Sequence, residues 1–254
     1  MYKTAHLFPN SECIHGFFGR SGGVSPAPYD TLNASFSVGD DSTNVAQNRE
    51  HLLQALLINT YTLATVNQVH GTCVLYIQSQ QDAKKGLTTD ADALVTDVPG
   101  VVLGVLTADC APILLYDEKK HRIGAIHAGW KGAFLGIVEE TIRILKKMGS
   151  DPSDIIAAIG PCIQQESYPV SAGFRRNFLE KEATWKEFFQ EQPAKEYRFD
   201  LSRFLYSRLA AVGVERIEII REDTYVNPLF FSFRKAQNGI CGRQMSVIAL
   251  TPKS

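Results

Sequence analysis

Apolar positions along the chain repeat at two periods. Over residues 45–57, Val45, Leu52, Leu53, Leu56 and Leu57 form a stripe at helical spacing, which predicts an amphipathic helix. Asn44 and Gln47 have the spacing of a capping box at its start. A second helix is predicted over 133–148 from Phe134, Ile137, Val138, Ile142 and Leu145. Lys146 and Lys147 suit the negative end of its dipole, and Gly149 suits the left-handed turn that ends it. A third is predicted over 202–212, closed by Gly213, and residues 171–191 read as helical with a less regular apolar face at Trp185, Phe188 and Phe189. β-Rich runs lie between these segments. Residues 63–69 and 72–78 flank a His-Gly turn; 101–107, 112–117 and 122–127 follow, the last two joined by the polar DEKKH segment as a hairpin. Further strands are predicted at 155–160, 216–221 and 244–250. Strands and helices mix without a strict βαβ repeat, which predicts an α+β domain with a mixed sheet. With no internal repeat and no Gly/Ser-rich linker, a single domain over residues 1–254 is expected.

Composition narrows the class. The hydrophobic fraction of 44% and charged fraction of 21% are those of an ordinary globular chain, long enough to bury a core without disulfides. The net charge of -1 gives no bulk attraction to nucleic acid or anionic lipid. No nucleic-acid partner and no membrane are therefore expected. The longest apolar stretch, 101–115, is interrupted by Asp109 and Pro112 and is too short to span a bilayer. The N-terminal residues lack the apolar core of a signal peptide. Cys13, Cys73, Cys110, Cys162 and Cys241 are odd in number and scattered, which argues for a reducing compartment, the cytoplasm by default.

Candidate chemistry changes the picture more. Gly19-Arg20-Ser21-Gly22-Gly23 matches the G-x-S-x-G nucleophile elbow, but two prolines follow where the elbow needs a helix, so it reads as a tight loop. NQVHG, TADCAP and IHAGWKG each put a ligand-type side chain where an apolar run gives way to small residues: His70, Cys110 and His127. Taken singly, a His or Cys is more often packing than ligand. If the three converge, two imidazoles and a thiolate suit zinc with an open fourth position, the catalytic rather than the structural pattern. Water bound there ionises near a pKa of about 7. Asp109 has three readings: acid/base, partner of an imidazole N–H, or turn residue. Gly129-Trp130-Lys131-Gly132 opens the second helix and reads equally as an anion site or as a glycine-rich turn with a solvated lysine.

Taken together, the ordered segments GFFGRSGGVSPAPYDTLNASFSVGDD, NVAQNR, NQVHG, DADALVTD, TADCAPILLYD, AIHAGWKG, IGPCI, FFSFRK and GRQMSVIAL resemble the YfiH family of laccase-like proteins, also catalogued as purine nucleoside phosphorylases. The resemblance covers nearly the whole chain. It implies a YfiH-like α+β fold, a single domain of mixed sheets flanked by helices, and a zinc site of His70, Cys110 and His127. It further implies phosphorolysis of adenosine, guanosine or inosine, cleavage of methylthioadenosine and deamination of adenosine, with cell-wall precursor editing linked to other members. Phosphorolysis needs a cationic cradle, and Arg20, Arg49, Lys131 and Arg234 lie in matching segments. Asp223, where members often carry Cys, and Pro169, in a Tyr-Pro-Val where many read Y-E-V, depart from the pattern. Three other readings use the same residues. A copper-dependent polyphenol oxidase would need more imidazoles than six His without an H-x-H, or an axial Met near the site. A metal-free hydrolase or amidase would use Cys110 as nucleophile and a His as base. A binding protein would leave the cluster incidental.

Overall fold

The computed structural model of the chain describes residues 2–9, 12–85, 88–193 and 196–251. Two larger sheets face each other. One has the order β1 (Tyr2–Lys3), β2 (Cys13–Phe18), β14 (Gln244–Leu250), β6 (Val101–Thr107), β3 (Thr62–Ala64). The other runs β13 (Arg216–Ile219), β9 (Ile155–Ile159), β7 (Ala111–Asp117), β8 (Arg122–Ala128), β5 (Ala93–Thr96), β4 (Val74–Ile77). A three-stranded sheet of β10 (Pro169–Val170), β12 (Glu196–Phe199) and β11 (Phe189–Gln192) sits beside them. Both larger sheets are mixed: β3 runs parallel to β6, β4 to β5 and β13 to β9, and the other pairs are antiparallel.

Successive strand residues point to opposite faces. Leu103, Val105 and Ile248 of one sheet therefore meet Leu94, Leu114, Tyr116 and Ala125 of the other in the central core. The alternate residues Val102, Met245 and Val247 face outward onto Leu52 and Leu53 of α1 (Ser42–Ala55). On the far side, Val95, Ile113, Leu115 and Ile126 pack on α4 (Ile137–Lys147) and α6 (Leu201–Ala211). The order of layers is helix, sheet, sheet, helix. Strands covered on both faces have no need of polar alternation, hence the apolar runs of β6, β7 and β9. No described helix is long and apolar enough to cross a membrane.

The α+β class and mixed sheets agree with the sequence expectation, as do the DEKKH hairpin and the three later strands. Several local expectations do not. The His-Gly turn does not join a hairpin: β3 pairs with β6 in one sheet and β4 with β5 in the other, so residues 65–73 cross between sheets. The strand expected over 63–69 stops at Ala64, where the Gln68 side chain takes over the pairing. Its amide donates to Leu106 O at 2.7 Å and accepts from Leu106 N–H at 2.7 Å. α1 is capped by Asp41, whose carboxylate accepts from Thr43 N–H at 2.7 Å, three residues before the expected Asn44. The helix expected over 133–148 is two: α3 (Trp130–Leu135) and α4, parted by Gly136 at φ 107. Its predicted end holds, with Gly149 at φ 95. Residues 171–191 form α5 (Ala172–Lys181), a 3₁₀ turn over 183–188 and then β11, because Trp185, Phe188 and Phe189 pack into an aromatic cluster with Phe178, Phe199 and Phe204. β2, between β1 and β14, is not predicted by the sequence pattern, because Gly16 breaks its alternation.

Candidate metal centre

The layering delivers three ligand-type side chains to one edge of the six-stranded sheet. Cys110 directly precedes β7, and His127 is the penultimate residue of β8. The β7–β8 register pairs Ala111 with Ala128 and Pro112 with His127, so both residues end at the same rim. His70 arrives from the crossing segment. The Nε2, Sγ and imidazole ligand atoms of His70, Cys110 and His127 all lie within 4.8 Å of one another. His70 is exposed, Cys110 half-buried and His127 buried, so the cluster opens outward from a fixed base.

A residue missed in the sequence anchors this arrangement. Asp92, fully buried, sits just before β5, whose pairing of Ala93 with Ile126 places it opposite His127. Its carboxylate accepts from His127 Nδ1–H at 2.8 Å and from the backbone N–H groups of His70 at 2.9 Å and Gly71 at 2.6 Å. Fixing Nδ1 as the donor leaves His127 Nε2 for the cluster. The same carboxylate holds His70 in a left-handed backbone conformation, φ 57, that a non-glycine residue adopts only when its surroundings impose it. Burial pushes the Asp92 pKa up, but the His127 contact and the two backbone donors outweigh it and hold the carboxyl below its ordinary value. The signal lay in DADALVTD, where an acid sits at the mouth of an apolar run.

Asp109 is the second left-handed residue at the site, φ 82. Its carboxylate accepts from Thr224 Oγ1 at 2.7 Å and from Arg234 N–H at 2.7 Å, so it ties the 224–234 segment to the cluster. Asp92, not Asp109, partners an imidazole. The departures at 169 and 223 are absorbed locally: Asp223 accepts from Ser167 Oγ at 2.6 Å and from Tyr225 N–H at 2.9 Å, and Pro169 O accepts from Arg234 at 3.1 Å.

The Cys110 thiol lies 3.8 Å from His70 Nε2. Burial raises its pKa, but the charge and hydrogen bonding of His127, then of His70, bring it down to about 6. Burial lowers that of His127, but the Cys110 thiolate and Asp92 drive it up to about 9. Without a metal, thiolate and imidazolium therefore pair near neutrality. The donor set also fits zinc, which holds nitrogen and sulfur ligands about 3.5 Å apart in a tetrahedron. Gly129 keeps the space open: a Cβ there would stand 2.9 Å from Cys110 Sγ and 2.9 Å from His70 Cδ2. Its φ of -74 suits any residue, so crowding alone is at stake. Gly129→Ala is expected to fold and to bind zinc about tenfold more weakly, since overpacking displaces the ligands it touches. Competition with a zinc-buffering chelator reads this out, and an unchanged affinity would exclude the crowding argument.

Two cavities open on the cluster. One, of about 330 Å³, reaches all three residues and carries Gln68, Thr107 and Arg243 on its walls. The other, of about 280 Å³, touches His70 and Cys110 and is lined by Trp130, Tyr168, Phe233 and Arg234. Of the four cations singled out in the sequence, Arg234 alone lines either one. Arg20 donates to the backbone and carboxylate of Asp30, and Arg49 donates to Ala34 O at 2.8 Å with its guanidinium over Phe36. Lys131 is exposed in the first turn of α3, on the wall of neither cavity.

The profile of a family described as multi-copper polyphenol oxidoreductase laccase matches residues 14–251. A Shigella flexneri protein named purine nucleoside phosphorylase YfiH is 36% identical over 232 residues, 91% of each chain. A Deinococcus radiodurans purine nucleoside phosphorylase is 37% identical over 243 residues, 95% of this chain and 91% of that one. Among solved structures, a Neisseria meningitidis protein superposes with a TM-score of 0.88 at 30% identity, covering 99% of both chains. A Bacillus licheniformis protein titled hypothetical protein YfiH gives 0.88 at 28% identity, covering 98% of this chain and 99% of its own.

Proposed function

This chain belongs to the YfiH family of laccase-like proteins, and on that premise we propose that it is a zinc-dependent purine nucleoside enzyme. It phosphorolyses adenosine, inosine, guanosine and methylthioadenosine and deaminates adenosine. The observation that carries this reading is the convergence of His70, Cys110 and His127 at the mouth of two cavities, braced by Asp92. The names of the relatives support the purine substrate.

His70, Cys110 and His127 would hold the zinc, which would supply a Lewis acid there. The chain's own residues do the rest. Asp92 fixes the His127 tautomer, and Asp109 holds Arg234 beside the cluster. Trp130, Tyr168 and Phe233 offer faces for a flat base, with Arg234 stacked 5.1 Å from the Tyr168 ring centroid. All five cysteines are free, which fits a reducing compartment, and we place the enzyme in the cytoplasm.

Zinc-loaded protein incubated with adenosine is expected to form adenine and ribose-1-phosphate only when phosphate is present, and inosine without it. Chromatography resolves the products. Absence of both from folded, zinc-loaded protein would sink the proposal.

One observation favours a second reading, a hydrolase or amidase with Cys110 as nucleophile. The Cys110 sulfur and a His127 ring nitrogen lie within 4.8 Å of each other, and their mutual charge lowers the pKa of the thiol and raises that of the imidazole, a nucleophile–base pair that needs no metal. Activity that survives complete chelation would select it. The copper reading finds less support, since Met245 lies in the core against α1 and Met148 ends α4, away from the cluster.

A further inference from the structure

Tyr168 is a buried phenol with a free hydroxyl. The residue is 8% exposed. Its ring is fixed by the Arg234 guanidinium, 5.1 Å from the centroid, and by an edge-on contact with Phe199 at 5.9 Å. Its backbone is fixed as well: its N–H donates to Gln165 O at 3.2 Å, and its O accepts from Phe199 N–H at 3.1 Å. Yet its hydroxyl makes no hydrogen bond among the described residues. Tyr116, also buried, donates to Glu12, and the half-buried Tyr29 and Tyr76 donate to Val38 O at 2.7 Å and to Asp97 at 3.1 Å. A buried tyrosine ordinarily finds a partner, so one left free on a cavity wall calls for an explanation in the ligand. The Thr107 hydroxyl is also without a partner, but it is sealed from its cavity, whereas that of Tyr168 remains accessible. Tyr168 lines the smaller cavity beside His70 and Cys110. Burial, then the charge of Cys110, push its pKa up, so the phenol keeps its proton and stands near the cluster as a neutral donor.

The other walls indicate what it would donate to. Trp130, Ile163, Leu201 and Phe233 are apolar, and the Asp109 carboxylate offsets the charge of Arg234. A flat, uncharged heterocycle fits such walls better than a free anion. Adenosine, inosine, guanosine and methylthioadenosine share two ring nitrogens that accept hydrogen bonds, N3 and N7. N1 carries a hydrogen in inosine and guanosine and is not common to the four.

We infer that the smaller cavity holds the purine base and that the Tyr168 hydroxyl donates a hydrogen bond to its N3 or N7. The assignment rests on the purine nucleoside reading above. It makes Tyr168 a specificity-determining residue that recognises the acceptor common to all four substrates.

The test uses zinc-loaded protein and the variant Tyr168→Phe, which keeps the ring and its packing. The probes are inosine and its analogues with N3 or N7 replaced by C–H, titrated calorimetrically in phosphate-free buffer, where phosphorolysis cannot proceed. The hydroxyl bonds nothing in the protein, so the thermal midpoint of the variant without ligand is expected to hold or rise. Inosine should bind the variant about five- to tenfold more weakly, the scale of one hydrogen bond. Wild-type protein should bind one analogue more weakly than inosine by the same factor, and the variant should bind that analogue and inosine alike. An unchanged inosine affinity in the variant overturns the inference. Equal losses for inosine and both analogues overturn it too, since they would reflect the position of the ring and not a hydrogen bond. In either case turnover of nucleoside by wild-type protein leaves the functional reading standing. Binding without turnover sinks that reading, and the titrations still decide this one. Wild-type protein that neither binds nor turns over nucleoside refutes both.

Discussion

Asp92→Ala is expected to weaken zinc binding about 10- to 100-fold, the usual effect of removing the carboxylate behind a metal-binding imidazole, and to destabilise the protein by about 3–5 kcal/mol, as when one partner of a buried charged pair is removed. Both effects have one origin. The Asp92 carboxylate accepts from His127 Nδ1–H, which is buried, and from the backbone N–H groups of His70 and Gly71. Without it, these donors are stranded and nothing holds His70 at its left-handed φ of 57. Asp92→Asn, which keeps an acceptor of the same shape, should fall between alanine and wild type. Because the carboxyl is held below its ordinary pKa, its contribution is present above the unfolded value and is lost as pH falls through the depressed folded value. Chelator competition and denaturant unfolding measure the two effects. Wild-type zinc affinity in a folded Asp92→Ala protein would remove Asp92 from the account.

Cys110→Ala is expected to abolish stoichiometric zinc and to lower kcat about a thousandfold or more, the scale for losing a group central to charge stabilisation. The wild-type thiol adds a pH signature. In zinc-stripped protein carrying Cys73→Ser, which removes the exposed competitor, iodoacetamide should alkylate Cys110 at pH 7. The rate should fall on acidification with a midpoint of about 6 as the thiolate is protonated. Cys13 and Cys162, whose pKa values burial pushes up, should stay inert. Zinc should suppress the reaction. A midpoint near that of an ordinary thiol, about 8.5, would mean that His127 does not act on Cys110 as the geometry requires.

Much of the site was legible because its residue types are chemically conspicuous. His70, Cys110 and His127 stand where apolar runs meet small residues, and the structure brings these three together. Asp92 was harder to see, since an acid before an apolar run ordinarily marks a turn and only the β5–β8 register sets it against His127. Gly129 was visible as a turn glycine, but its reason, a Cβ-sized gap beside Cys110 and His70, exists only in three dimensions. The cations are less legible. Arg20 and Arg49 lie in matching segments, and in the structure Arg20 donates to the backbone and carboxylate of Asp30 and Arg49 to Ala34 O, while Arg243, just before β14, lines the cavity.

Periodicity alone settled the element types wherever one period ran uninterrupted, because a stripe at 3.6 or a run of β-branched residues can be buried in only one way. It supplied the α+β class, the β7–β8 hairpin, the helices near 45–57 and 202–212 and the glycine stops at 149 and 213. Tertiary structure decided everything that depends on which partner a segment meets. It sent β3 and β4 to different sheets, ended the first at a side-chain amide, turned Trp185 and Phe188 out of a helix into an aromatic core, and broke the second helix at Gly136. The reason is the same in each case: local sequence sets the period of a segment, but burial against a distant surface sets its length, its register and the direction of each side chain.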